Sequence, residues 1–388
     1  MRLFVHVICV IGLLLCRPSA GAETPEKDGR PSQEHTASAV RLACDLDLEM
    51  NFDNREYYKS KFSRSMTIFG LRLSPAVGVD VLSSNGMKHR VMAGVDVMKD
   101  FGGKSDVLGE VTLYYNMEKQ IGKTGLSVYA GVFPRRMTEG KYSRAFFSDS
   151  LKFYDNNLEG LLLKFRRPKA YFELGCDWMG QFGDEERERF MVYTSGEGKV
   201  LSVLSLGYSG YLYHFANSRQ ASGVVDNILL NPYARFDLGD LLGLQAFSVR
   251  LGWLQGLQND RKHIGIYTHP YGGELDLEVR NWNFGMSNHI FYGKDMMPYY
   301  NNVDSAGIKY GSTLYFGDPF YRIHDDGSSG VGMYDRFEVF WTPLTGRLLD
   351  VRVGAVFHFH DWHYSGCQQL VRLGFNLDYV YAGRNKKR

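Results

Sequence analysis

Apolar and polar residues alternate along this chain, and the alternation constrains the fold more than any other feature of the sequence. In residues 69–81, apolar side chains such as Leu71, Val77 and Val79 are separated by Arg72 and Asp80, among others. Similar stretches occur at 247–253 and 371–381. Successive side chains of a strand point to opposite faces, whereas a helix would scatter these residues around its axis. The sequence therefore predicts an all-β fold.

The two faces of the predicted strands differ in charge. One face is almost wholly apolar, whereas the other carries ionised side chains as well as polar ones. A soluble sandwich, with its charged face in water and its apolar face in a core, has the same alternation and is the alternative. The charged positions include Arg72, Asp80, Asp96, Glu110, Arg235, Arg250, Arg336, Glu338, Arg352 and Arg372.

Three observations favour strands in lipid over a sandwich. The predicted strands often run for roughly 10–15 residues, whereas globular strands average about 5–6. The chain is large for a single sandwich core. Aromatic residues such as Trp178, Trp253 and Trp341 end many apolar segments, as expected where hydrocarbon meets lipid headgroups.

These observations predict a transmembrane, antiparallel up-and-down β-barrel of about 16 strands (16–18) over residues 39–383. An unpaired backbone group costs several kcal/mol in hydrocarbon, so the sheet has to close. About 16 strands enclose a water-filled lumen, whereas about eight leave room only for side chains. The ten charged residues named above are predicted to face that lumen.

The predicted strands number 16 or 17, and an even count is expected of a single-chain bacterial barrel. Residues 187–194 are the weakest candidate. The others lie near 40–52, 66–82, 88–99, 106–117, 125–134, 157–166, 170–180, 199–214, 227–238, 244–255, 273–281, 283–292, 306–316, 333–343, 348–360 and 368–382.

The first 22 residues have the features of a cleaved signal peptide. Arg2 precedes a short apolar run, Leu3 to Leu15, and Ala20 and Ala22 supply the small-x-small cleavage site. Residues 23–38 are polar and are predicted to form a flexible leader, and residues 384–388 a basic tail. Export through the general secretory route to a bacterial outer membrane is therefore expected.

Removal of this segment leaves a formally neutral chain. The whole chain has 45 basic and 43 acidic residues, and the segment contains Arg2 and Arg17 but no acid. A neutral charge balance does not indicate nucleic-acid binding, which requires a clustered basic surface. The expected partners are outer-membrane lipid and small hydrophilic solutes. A homo-oligomer stays open, because trimeric and monomeric barrels share this pattern.

Four stretches of the chain resemble the porin-like outer-membrane barrels of the Bacteroidetes. They are residues 284–302, 311–322, 334–343 and 366–377, as in FGMSNHIFYGK and YDRFEVFWTP. The resemblance lies in the general residue pattern along most of the mature chain and includes no diagnostic catalytic motif. It implies an outer-membrane location and solute passage. Such chains often end on an aromatic strand residue, whereas here a basic tail follows Tyr381.

The densest polar cluster is the segment around His358 and His360. These imidazoles are two residues apart, so they share a strand face, and with Asp361 or His363 they have the chemistry to hold a transition metal. The alternative is a pair of hydrogen-bonded histidines in the lumen. No GxSxG motif is present. No catalytic residue and no cofactor are predicted, and the chain is not expected to be an enzyme.

The function predicted from these features is a porin-like channel for passive diffusion of small hydrophilic solutes. The first alternative is an outer-membrane barrel that binds polysaccharide or a partner through its long loops. A less favoured alternative is an outer-membrane enzyme that modifies lipid.

Overall fold

The computed structural model describes residues 39–58, 60, 62–103, 108–323 and 330–380. The chain separates into a unit of Met1–Thr36 and a unit of Ala37–Arg388. The predicted signal peptide (1–22), leader (23–38) and basic tail (384–388) lie outside the described residues, as do residues 381–383 of the predicted barrel.

Sixteen strands form one closed sheet in which every strand pairs with its neighbours in sequence, and β1 pairs with β16. All of these pairings are antiparallel, so the predicted up-and-down barrel is confirmed. The strands are β1 (Ala39–Tyr57), β2 (Met66–Leu82), β3 (Lys88–Asp100), β4 (Leu108–Ile121), β5 (Thr124–Pro134), β6 (Asn157–Arg167), β7 (Ala170–Gly180), β8 (Arg189–Lys199), β9 (Leu204–Phe215), β10 (Val225–Asp237), β11 (Ala246–Asp260), β12 (Tyr271–Asn281), β13 (Phe284–Lys294), β14 (Val331–Thr345), β15 (Leu349–His360) and β16 (His363–Val380).

The seam between the first and last strands is long. β1 pairs with β16 from Ala43 opposite Val380 to Tyr57 opposite Gly366. Closure leaves no strand edge, and an edge is what hydrocarbon does not tolerate, because its backbone N–H and C=O groups would have no partner there.

Within the described residues, helical structure is limited to short segments in the connections. The α-helical segments are α1 (Asp149–Tyr154), α2 (Gly239–Leu242) and α3 (Gly311–Leu314), and 3₁₀ turns occur at Arg135–Met137 and Pro319–Tyr321. None of the helices in the described part of the chain is long and apolar enough to cross a membrane.

The alternation seen in the sequence becomes a difference between two surfaces. Val77, Leu113 and Leu251 are each more than half exposed, while the charged Arg72 and Glu173 are almost wholly buried. Exposed apolar and buried ionic residues are the reverse of a soluble protein. This inversion follows if the exposed surface meets acyl chains and the ionic groups pair inside the barrel.

One strand prediction was wrong. Residues 306–316 form no barrel strand; they belong to the connection between β13 and β14 and include α3. Their apolar residues Tyr310, Leu314 and Tyr315 are all buried, so they form a packed loop and not a strand with one lipid face. The weakest candidate, 187–194, is in fact the start of β8.

The two ends of the barrel differ in their connections. At one end the turns are short, with 122–123, 168–169 and 282–283 only two residues long; at the other lie the long connections 135–156 and 295–330. This asymmetry is typical of outer-membrane barrels, whose short turns face the periplasm and whose long loops face outward. We call the two ends the short-turn end and the long-loop end.

Two tight turns carry tryptophan in a left-handed conformation. Trp282 at the short-turn end and Trp362 at the long-loop end both have positive φ, as do their turn partners Asn283 and Asp361. Two-residue hairpins require this backbone, which usually selects glycine. Both tryptophans are more than four-fifths exposed. Their amphipathic rings suit the two membrane interfaces.

Reversing the polarity of the lipid face tests this orientation. Leu251, near the middle of β11, is exposed on that face, so Leu251→Arg is expected to lower the free energy of unfolding by about 2–4 kcal/mol in lipid vesicles. Urea titration followed by heat-dependent gel migration measures this change, with Leu251→Met as the control. An arginine variant as stable as the control would place Leu251 in water.

Candidate functional site

Two long connections lie inside the barrel. We call residues 135–156 loop A and residues 295–330 loop B, of which 324–329 are outside the described residues. Side chains of loop A reach strands all around the ring. Tyr142 donates to Glu173 of β7 (2.9 Å), Ser143 to Glu274 of β12 (2.5 Å), and Asp149 accepts from Arg372 of β16 (2.8 Å). A segment that touches such widely spaced strands of a closed ring must pass through its interior.

Loop B crosses the same interior. Its carbonyl oxygens accept hydrogen bonds from Tyr213 of β9 (2.9 Å), Asn227 of β10 (3.1 Å) and Gln258 of β11 (2.9 Å). Further around the ring, Phe320 stacks on His358 of β15, with ring centroids 4.5 Å apart. Side chains of the barrel wall thus provide hydrogen-bond donors for carbonyl oxygens of loop B that are not paired within a strand or a helix.

The two loops also pack directly on each other. The backbone N–H of Ser148 donates to the carbonyl oxygen of Phe316 (2.9 Å), and that of Asp318 to the carbonyl oxygen of Arg144 (2.8 Å). Gly317 lies so close to loop A that a Cβ there would be 2.1 Å from the oxygen of Ala145. Glycine is therefore required at this crossing.

Helix α1 of loop A is capped at both ends. The Ser148 hydroxyl accepts from the backbone N–H of Leu151 (3.1 Å) at the helix start. At the helix end the guanidinium of Arg72 donates to the carbonyl oxygens of Lys152 (3.3 Å) and Phe153 (2.6 Å). A cation at a helix C-terminus also compensates the helix dipole. A wall residue of β2 thus fixes the end of α1.

A cavity of about 410 Å³, lined by both charged and apolar residues, remains between the loops and the wall formed by β14, β16 and β1. This is within the range of small-molecule sites, roughly 300–1,000 Å³. Its charged lining is mixed in sign. It comprises Arg55, Arg144, Arg336, Arg372, Asp53, Asp149 and Asp318.

Asp149 links loop A to the wall beside this cavity. Its carboxylate is 2.6 Å from Arg144 of the same loop and 2.8 Å from Arg372 of β16. Burial raises the pKa of Asp149, but the positive charges of Arg144 and Arg372 outweigh it and hold the pKa well below its ordinary value. A lowered pKa means that this contribution to stability is present at neutral pH and is lost only in strong acid.

Four of the predicted lumen residues contact loop A or its junction with β6. Besides Arg72 and Arg372, Asp96 accepts from the side-chain amide of Asn156 (3.2 Å), and Glu110 from that of Asn157 (2.6 Å). The register places Asp96 directly opposite Glu110, so these two carboxylates face the same pair of amides.

The remaining six pair with charges on their own or neighbouring strands. Asp80 lies 3.3 Å from Arg90, Arg235 2.5 Å from Asp237, and Arg250 2.8 Å from Asp276. Glu338 stands between Arg336 (2.8 Å) and Arg352 (2.7 Å). The cavity brings together only two of the ten predicted residues, Arg336 and Arg372.

His358 and His360 are engaged by protein groups. The ring nitrogens of His358 lie 3.0 Å from the Tyr334 hydroxyl and 2.8 Å from the Gln368 side-chain oxygen. Those of His360 contact the Phe320 carbonyl oxygen (3.0 Å) and the Ser365 hydroxyl (3.4 Å). Among the described residues no group of three or more His, Cys, Asp or Glu is arranged to hold a metal. We therefore do not propose a metal site here.

Sequence reasoning missed a buried cluster that joins both loops to the wall. Glu274 is fully buried and accepts from Ser143 of loop A (2.5 Å) and Tyr321 of loop B (2.8 Å). The Tyr321 hydroxyl is also 2.5 Å from His289, whose other nitrogen contacts Asp276. Burial and Glu274 hold the pKa of Tyr321 well above its ordinary value, so its hydroxyl stays protonated. From the sequence alone, Glu274 could be recognised only as a residue on the charged face of a predicted strand.

Fold and site together define the class of this protein. The chain has the fold of an outer-membrane β-barrel, a closed antiparallel ring of sixteen strands, with two loops folded into its interior. The resemblance to porin-like barrels is thereby confirmed at the level of fold.

Comparison with protein families gives one match. Residues 33–222 match the family described as Lipid A 3'-O-deacylase-type. The matched segment includes β1 to β9 and all of loop A, but neither loop B nor β10–β16. No curated protein matches the chain.

Several solved structures of bacterial proteins match most of this chain at low identity. OprD of Pseudomonas aeruginosa is 12% identical with a TM-score of 0.45, covering 88% of this chain and 96% of that one. OccK3 (OpdO) of the same organism is 9% identical with a TM-score of 0.48, covering 87% and 96%. A mutant porin of Rh. blastica is 10% identical with a TM-score of 0.45, covering 87% and 100%.

The family match corrects one expectation. The sequence predicted that the chain is not an enzyme, and similarity of residues 33–222 to a deacylase-type family contradicts that prediction. The prediction failed because it required a recognisable nucleophile motif, and families of enzymes are not all defined by such motifs.

Removing the charge of Asp149 tests how loop A is held. Asp149→Asn leaves Arg144 and Arg372 without their shared carboxylate, and hydrogen bonds between charged groups contribute about 1.5–3 kcal/mol. Amide hydrogen exchange in α1 is therefore expected to become about tenfold faster or more.

The matched control is Asp184→Asn, because Asp184 also pairs with an arginine, Arg219, but on an exposed connection. Its substitution should leave exchange in α1 unchanged. If Asp149→Asn behaves like this control, the ion pairs of Asp149 do not hold the loop.

Proposed function

We propose that this protein is a porin-like channel through which small hydrophilic solutes diffuse passively across the outer membrane. The observation that carries the proposal is the cavity of mixed charge between the inner loops and the wall. The ten predicted lumen residues, from Arg72 to Arg372, would line the aqueous path or the network beside it.

Opposed charges suit a channel for polar solutes. The cavity lining includes Arg336 and Arg372 of the wall and Asp149 and Asp318 of the loops, and Arg372 is paired with Asp149 at 2.8 Å. Charges of both signs across a narrow path create a transverse field, which orients water and dipolar solutes. A neutral apolar solute gains nothing from this field and loses contact with bulk water.

The inner loops would set the size limit. A ring of 16 strands is wide enough for an aqueous channel, and loops A and B fill much of that width with buried aromatic residues such as Phe146, Tyr310 and Tyr321. Passage would therefore be restricted to small solutes, in keeping with a cavity of about 410 Å³.

Recognition of polysaccharide or a partner through the long loops is less well supported. Loops A and B are the two longest connections, and they turn inward with many of their side chains buried. An external ligand would meet little of either loop. We therefore do not propose this alternative.

Single-channel recording in planar bilayers tests the channel. The refolded protein is expected to give discrete conductance steps above the lipid background. Replacing residues 139–155 by a short Gly/Ser linker should raise the conductance several-fold, because loop A then no longer narrows the path.

The intact protein and the shortened variant must be compared at the same salt concentration. Absence of conductance steps from both would remove the channel proposal. Equal conductance would show that loop A does not constrict the path.

A second candidate function is hydrolysis of an ester of lipid A. The observation that favours it is the match of residues 33–222 to the Lipid A 3'-O-deacylase-type family. Such a reaction adds water to a 3'-O-acyl ester and releases a fatty acid and a free hydroxyl. In the described part of this segment the two histidines, His89 and His214, have no serine partner; His89 contacts Tyr115 (2.7 Å) and His214 lies 3.9 Å from Asp226.

Mass spectrometry of lipid A tests this candidate directly. Cells that express the chain are expected to show lipid A lighter by one 3'-linked acyl group than cells with an empty vector. Unchanged lipid A, with folded protein present in the outer membrane, would remove the deacylase candidate and leave the channel proposal untouched.

A further inference from the structure

The membrane-facing wall carries a groove between the middle of β11 and the long-loop ends of β12 and β13. Its volume is about 530 Å³, and its lining is formed by Leu251, Trp253, Tyr271, Tyr292 and Val331 around a stretch of small residues. Tyr271 is the first residue of β12 and directly follows the connection 261–270, which places the groove close to the outer headgroup boundary.

Gly273 forms the floor of this groove. The register sets Gly273 directly between Trp253 of β11 and Tyr292 of β13, both of which are about half exposed. A Cβ at Gly273 would have no heavy atom within 4 Å, and its φ lies outside the left-handed region. Neither backbone strain nor crowding therefore requires glycine at this position.

The neighbouring glycines differ from Gly273 in this respect. A Cβ at Gly272 would lie 2.3 Å from the Phe291 ring, and one at Gly293 would lie 2.3 Å from the Tyr271 carbonyl oxygen. Packing explains both of these residues. At Gly273 the missing side chain leaves open space in the apolar wall.

The walls of the groove are aromatic and have a cation at their outer end. The rings of Trp253 and Tyr271 are stacked, with centroids 5.5 Å apart and planes at 15°. The Lys294 ammonium lies 5.2 Å from the centroid of the Tyr271 ring. Lys294 is the last residue of β13, so its charge lies on the headgroup side of the groove.

We propose that this groove binds one acyl chain of lipid A, with Lys294 close to a phosphate of the same molecule. In the membrane the groove is in contact with hydrocarbon, and an empty space of this volume there would forfeit contacts that a chain supplies. The long-loop end faces outward, and lipid A is the acylated, phosphorylated lipid of the outer leaflet. Acidic phosphate and cationic Lys294 are complementary.

This site is separate from the functions proposed above. It lies on β11–β13, outside the segment that matches the deacylase-type family, and on the opposite surface of the wall from the inner loops. Binding at the groove would therefore persist in a protein that neither conducts nor hydrolyses lipid.

Native mass spectrometry of the detergent-solubilised protein, titrated with lipid A or with phosphatidylglycerol, tests the proposal. The wild-type protein is expected to bind one lipid A molecule more tightly than phosphatidylglycerol. Gly273→Leu fills the groove and excludes about two methylene groups, so the affinity for lipid A should fall about tenfold.

The matched control is Gly198→Leu. Gly198 of β8 stands next to Glu197, which bonds to the interior residue Tyr233, so it faces outward, and a Cβ there would lie 4.0 Å from its nearest contact. This control places the same side chain on the membrane face at the short-turn end and should bind lipid A like the wild type. Heat-dependent gel migration verifies that each variant is folded.

Lys294→Gln gives a second test that does not depend on packing. It should weaken lipid A binding several-fold while leaving the groove open. Equal affinity of Gly273→Leu and wild type would overturn the proposal, as would unchanged binding by Lys294→Gln. Phosphatidylglycerol binding as tightly as lipid A would overturn the assignment to lipid A.

Discussion

Backbone hydrogen bonding in hydrocarbon is the constraint on which this structure depends. Each strand must give every N–H and C=O a partner, because acyl chains offer none. The pairing of β1 with β16 meets that requirement by removing the sheet edge. Alternation then follows, since each strand of a closed ring has one face toward lipid and one toward the interior.

The size of the ring creates a second requirement. Sixteen strands enclose more space than side chains of the wall can fill, and loops A and B occupy it. Both loops bring polar backbone and charge with them, which must be satisfied inside. Three wall residues provide the partners. Arg72 binds the C-terminal end of α1, and Arg372 pairs with Asp149. Glu274 accepts hydrogen bonds from a serine of loop A and a tyrosine of loop B. The charged inner face is thus a scaffold for the loops.

The sequence predicted the wall well and the interior poorly, for a physical reason. Where one face meets lipid and the other is ionic, the period is clear, and 66–82 and 170–180 match β2 and β7 residue for residue. In 306–316 the apolar residues pack inside loop B. A strand-like composition there therefore reflected burial in a loop and not a lipid-facing strand.

Contacts of the interior leave no local signal in the sequence. Ser143 and Glu274 are 131 positions apart, and no pattern in the sequence around either residue predicts their contact. Likewise, Arg72 was predicted to face the lumen, but its role at the end of α1 depends on loop A, which enters the interior between β5 and β6. Pairs of this kind are set by the path of the loops and not by periodicity.

The central claim is that ionic faces and inner loops together enclose a narrow aqueous path. Liposome swelling with sugars of increasing size measures that path most directly, because swelling requires the sugar itself to cross the bilayer through the barrel. Rapid swelling is expected with a pentose, slower swelling with a disaccharide and none with a pentasaccharide. Failure to swell with every sugar, or equal rates for all sizes, would contradict the presence of a narrow aqueous path.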